Sequence, residues 1–230
     1  HAAAIWNSNI GWLFSIDPEW TLHYLKKVLN PDHPASSCAL DGFLRSKNFE
    51  SALIEPVKPY LLGLVTQAKS SQLDKTTLND FMDLFCHMRI YHSDKPFGLT
   101  QTEVRDVLRA VDEEARNRFI FALRRIVDDK DGKEEAVVSL INNDWPKENM
   151  FKTTLSTRAW IDLLDDAGNN FETLYHALKK FLVPINSNEY FLSGLMSTCQ
   201  NDKSFVEVFP ETVLDLIYTI TPRDSGEGYY

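Results

Sequence analysis

The chain has 230 residues, a formal net charge of −9, 43% hydrophobic and 25% charged side chains. These values suit a globular protein of one large or two small domains and exclude a chain too polar to bury a core. The acid excess disfavours nucleic acid as a partner, because that binding depends on phosphate neutralisation, and no apolar run approaches the ~18 residues of a membrane span.

The first 30 residues predict two helices. Ile5, Trp6, Ile10, Trp12 and Leu13 mark one over Ala2 to Phe14. Asp17, Pro18 and Glu19 then start another, because an Asp carboxylate accepts from exposed amides and Pro loses nothing at the first helical position. Asn30-Pro31 stops it near Leu29. Three of the five tryptophans, Trp6, Trp12 and Trp20, fall at this junction. Clustered tryptophans can stack on a ligand. The spacing favours large side chains wedged between two antiparallel helices at a corner, so they are expected to be a joint.

Helical periodicity recurs along the chain. Ala35 to Arg45 is a short helix. Pro56 to Ser70 is the next, its start set by Pro56 and Pro59. Thr77 to Tyr91 carries the stripe Leu78, Phe81, Met82, Phe85 and Met88, wide enough to face a core. Thr100 and Glu103 form a capping box before Val104, Val107, Leu108 and Val111. Further helices are expected at Ala115 to Val127, Lys133 to Asn142, Thr157 to Ala167 (ended by Gly168), Phe171 to Leu182, Asn188 to Cys199 and Pro210 to Ile220. The stretch Ser204 to Phe209 alternates briefly but is too short to make a strand convincing.

The expected fold is therefore all-α: an irregular HEAT-like helical repeat, or α-solenoid, of eleven or twelve short helices. No strict repeat period is present. The longest non-helical stretch, Ser93 to Leu99, divides the array into subdomains 1–95 and 96–230. Cys38, Cys86 and Cys199 are distant and odd in number, which points to a reducing cytoplasmic setting. The chain starts without Met and inside a helix, and ends on Gly-Tyr-Tyr, as expected for a segment of a longer polypeptide.

Chemical motifs are sparse. Asp80, Asp83 and His87 share one helix face, but no second His or Glu completes a metal set. A calcium loop aligned on Gly132 would need acids where Val127 and Val138 stand, so Asp128 to Glu135 fails that pattern. Arg105, Arg109, Arg116, Arg118, Arg124 and Arg125 are interleaved with acids and read as an ion-paired helix surface. Asp162, Asp165 and Asp166 oppose the dipole at a helix C-terminus. Turn chemistry accounts for such placement, and so does an acidic rim that meets a basic partner. These three are the candidate partner-binding residues. No phosphate loop, nucleophile elbow or zincin motif is present. The segment is expected to be non-catalytic, with no cofactor and no metal, and to bind protein (a linked effector domain, a sister subunit or a trigger protein), whether as a monomer or an oligomer.

The stretch AIWNSNIGWLFSIDPEW, with Trp6, Trp12 and Asp17-Pro18-Glu19-Trp20, and the later FPETVLDLIYTI at Phe209 to Ile220 resemble the helical C-terminal regions of long bacterial SIR2-type proteins. Those proteins hydrolyse NAD and are associated with anti-phage defence. The resemblance implies a module that senses a trigger or regulates a linked NAD-hydrolysing effector, with the catalytic residues outside this segment. A stand-alone scaffold is the alternative. A helical hydrolase built on Asp80, Asp83 and His87 is a weaker one.

Overall fold

The computed structural model describes residues 2–47, 50–66, 73–128, 132–185, 198–200 and 203–222. Among them are thirteen α-helices and one two-stranded antiparallel pair, so the fold is all-α. No helix of the described residues is long and apolar enough to cross a membrane. The chain packs as two compact units, His1–Ala122 and Leu123–Tyr230. The loop at 93–99, expected as the boundary, lies inside the first unit. It is anchored there: Phe97 and Leu99 are buried, and Lys58 Nζ donates to the Gly98 carbonyl at 2.9 Å.

The first unit begins with α1 (Ala2–Ser8) and α2 (Ile10–Ile16). One helix was expected here. Asn9 breaks it, with ψ at 19°, and its amide donates three residues back to the Trp6 carbonyl. Asp17 caps α3 (Pro18–Val28) as expected, accepting from the Trp20 amide at 3.0 Å. Then follow α4 (Ser36–Arg45) and α5 (Ser51–Thr66). α5 starts five residues before the expected Pro56. Both prolines sit inside it, and the buried side chains Leu53, Ile54, Val57, Leu61, Leu64 and Val65 outweigh the amides that the prolines lack.

Asp74 caps α6 (Lys75–Tyr91) by accepting from the Thr77 amide. The expected capping box of Thr100 and Glu103 opens α7 (Gln101–Ala110). Arg116 closes the other end of α7, donating to the carbonyls of Leu108 and Val111. Second neighbours pack in two rows: α3 on α5 on α7, and α4 on α6, with α1 also on α4. The division between units falls within α8 (Glu113–Asp128).

In the second unit, α9 (Glu134–Asn143) packs on α11 (Phe171–Leu178), which also meets α10 (Thr154–Asp165). Gly168 after α10 has φ +51°, the left-handed conformation expected there. Trp145 and Trp160 are the buried tryptophans, with ring centroids 4.8 Å apart at 74°. The helix expected at Asn188 to Cys199 falls mostly outside the described residues. Its end is not helical: β1 (Thr198–Gln200) pairs with β2 (Lys203–Ser204). The alternation after Ser204 is a helical turn, α12 (Phe205–Val208), because Ser204 and Glu207 form a capping box. α13 (Pro210–Ile220) completes the unit, and Phe171 packs against Phe205 and Phe209.

Candidate functional site

The tryptophans near the N-terminus are joined, but they are not buried. Trp20 and Tyr24 lie one turn apart on α3 and stack with centroids 5.4 Å apart. Trp6 of α1 leans on both, at 6.1 and 6.4 Å. Yet Trp6 is 49% exposed, Trp12 65%, Ile16 62% and Trp20 43%. The expected wedge is therefore corrected. The contacts among Trp6, Trp20 and Tyr24 join α1 to α3 while Trp6 and Trp20 stay about half exposed. In α2 only Ile10 is buried, and Trp12, Ser15 and Ile16 are exposed. Trp6, Asn9, Trp12 and Leu13 wall an open groove of about 250 Å³.

The acidic set lies at the end of α10. Asp166 is in an ion pair with Arg124 of α8. Asp165 is half-buried and its Oδ1 is enclosed without a hydrogen-bond partner. Burial first, then the charges of Asp162 and Asp166, push the Asp165 carboxyl up to about 7, with Arg124 opposing. Burial also raises Asp162, assisted by Asp166 and opposed by Arg124. One guanidinium thus serves three carboxyls, and of these Asp162 is the exposed one.

Asp83 belongs to a different arrangement from the metal set considered above. Arg118 grips it through two nitrogens, Nε to Oδ1 at 2.8 Å and Nη2 to Oδ2. His87 stacks on Tyr91 and lies 5.1 Å from the His92 ring. Burial, then the His92 charge, lower its pKa. Among the described residues no group of three or more His, Cys, Asp or Glu is placed to hold a metal ion.

Sequence reasoning missed one polar cluster. Tyr175 donates to Asp215 Oδ2 at 2.8 Å, and Lys179 Nζ reaches both Asp215 oxygens at 2.9 and 2.6 Å. Burial leads the causes that push the Tyr175 phenol to about 12. Lys179 and Asp215 border a cleft of about 560 Å³ with Pro184, Tyr218, Thr219 and Thr221. Each charge is answered inside the cluster, so its evident role is to bind α13 to α11. The helical spacing of Tyr175 and Lys179 was legible, but their partner lies forty residues on.

No protein-family model, no curated protein and no solved structure matches the chain.

Proposed function

We propose that this chain is a non-catalytic, protein-binding helical module acting in the bacterial cytoplasm. One observation carries the reading: Trp6, Trp12, Ile16 and Trp20 are exposed together on α1 to α3. Exposed Trp is costly in water and concentrates at interface hot spots. The two rows of second-neighbour helices support a stacked, repeat-like arrangement. Of the acids Asp162, Asp165 and Asp166, the exposed Asp162 offers a second, charged contact for a basic partner surface. The resemblance to SIR2-associated helical regions extends the proposal: the module senses a trigger or restrains a linked NAD hydrolase.

Replacing Trp12 by a photo-crosslinking phenylalanine in the native polypeptide tests the binding reading. The expected result is an adduct of defined mass on irradiation in the source cell; none forming would contradict it. NAD consumption by the native polypeptide, with and without Trp12→Arg, tests the effector link. A native polypeptide that consumes no NAD would leave a scaffold or adaptor role.

A further inference from the structure

Residues 1–16 form the longest stretch of the chain without Asp, Glu, Lys or Arg. Of these, residues 2–16 fold into α1 and α2, so the outward face of Trp6, Trp12 and Ile16 carries no ionisable side chain of its own. This constrains what can cover it. A charged partner group would lose its hydration there and find no opposite charge among these residues. The occupant has to be apolar and uncharged where it meets α2.

Area points the same way. At roughly 200–250 Å² for a tryptophan, the exposed parts of Trp6, Trp12 and Trp20 offer roughly 300–400 Å². Ile16, with smaller shares from the partly buried Leu13 and Phe14, brings the apolar surface to roughly 500 Å². A stable interface covers about 800 Å² on each partner, and in homodimers about 65% of it is apolar. The patch therefore matches the apolar share of one side of a dimer contact.

A two-fold contact sets residue i of one copy against residue j of the other and j against i, so only near the axis does a charge face its own copy. In a chain of net charge −9 a charge-free surface at the axis avoids that repulsion. Residues 2–16 of α1 and α2 provide such a surface, and the exposed acids Asp17 and Glu19, next to Ile16 and Trp20 in sequence, border it. Resting on the protein-binding reading above, we propose that the face of Trp6, Trp12 and Ile16 is a two-fold self-association surface on which a second copy of this chain seats its own α2.

Sedimentation velocity of the 230-residue chain across the micromolar range, in physiological salt, tests this. The wild type is expected to form a species of twice 26.4 kDa. Trp12→Arg, at an exposed position, weakens association by roughly tenfold or more while circular dichroism and melting stay unchanged. Ile16→Arg serves as a second variant should Trp12→Arg misfold. Leu214→Arg, on exposed α13 of the other unit, leaves the dimer intact. A wild type that stays monomeric overturns the proposal, as does a dimer that Trp12→Arg and Ile16→Arg leave unchanged or that Leu214→Arg dissociates equally. A monomer that binds phosphatidylcholine vesicles through Trp12 also overturns it, in favour of a lipid surface. A monomer that still gives a Trp12 adduct with another protein overturns the self-association and leaves the protein-binding reading standing.

Discussion

Arg124 and Asp166 join the last turns of α8 to the end of α10, while Asp165, one residue earlier, is left with an enclosed oxygen that accepts no hydrogen bond. The guanidinium hydrogen-bonds Asp166 and reaches Asp165 only through its charge, which does not offset the burial of that carboxyl. The Asp165 carboxyl is raised from 3.8 to about 7, so the folded chain keeps a proton that the unfolded chain has released. For this group stability is highest below about 4, falls as pH rises toward 7 and is flat above that. Asp165→Asn is therefore expected to stabilise the protein at pH 8 by about 1–3 kcal/mol, allowing for solvent screening of a half-exposed group. The gain shrinks toward pH 4. Urea melts of both proteins across that range check it, and a pH-independent difference would contradict it.

Gly42 meets the backbone of Ala4. A Cβ at position 42 would lie 2.3 Å from the Ala4 carbonyl oxygen, and Asn7 Nδ2 bridges the same helices to the Ala39 carbonyl at 2.7 Å. Helix propensity alone makes Gly→Ala a gain of about 1 kcal/mol. The close approach reverses the sign, and Gly42→Ala is expected to lose about 1–3 kcal/mol in denaturant melts. A stabilised variant would show that α1 does not lie against α4.

Lys58 ties α5 to the start of α7. Its ammonium donates to Gly98 and pairs with Glu103 at 2.9 Å, with side-chain exposures of 14% and 28%. Burial alone would raise Glu103; the Thr100 amide and Lys58 outweigh it and hold its pKa below the usual range. Lys58→Met leaves a carbonyl and a carboxylate short of a donor, and should cost about 1–3 kcal/mol. The wild-type contribution is present above the ordinary Glu range and lost as pH falls through the lowered value. The deficit should therefore narrow in acid.

Asp83→Ala removes the two-pronged partner of Arg118 and should lower stability by about 1 kcal/mol. Zinc is expected to leave the melting temperature of wild type and variant unchanged. A zinc-dependent rise in wild type that the variant lacks would revive the hydrolase reading.

The all-α fold was legible because caps and apolar stripes are local signals. Asp17-Pro18, Thr100 with Glu103 and the Phe81/Phe85 stripe all lie within one or two turns. Errors came where tertiary packing decides. Buried Leu53 and Ile54 carry α5 back past Pro56: the apolar spacing already begins at Leu53, but the two prolines argue for a later start. The tryptophans show the limit most plainly. Spacing placed Trp6, Trp12 and Trp20 at one helix corner, but burial depends on what covers them, so the buried pair proved to be Trp145 and Trp160. Asp162, Asp165 and Asp166 stood out as acids in an unfavourable place, yet the partner that separates their roles, Arg124, lies on another helix.

Oxidative footprinting of the five tryptophans tests the central claim most directly, comparing the native protein in source-cell lysate with the dilute purified chain. The account predicts that Trp6, Trp12 and Trp20 react in the dilute chain and are protected in lysate. Trp145 and Trp160, at 1% and 0% exposure, should be protected in both and serve as the internal reference. Equal reactivity of Trp6, Trp12 and Trp20 in the two samples would mean that nothing covers the aromatic face in the cell, and would contradict its role as a binding surface.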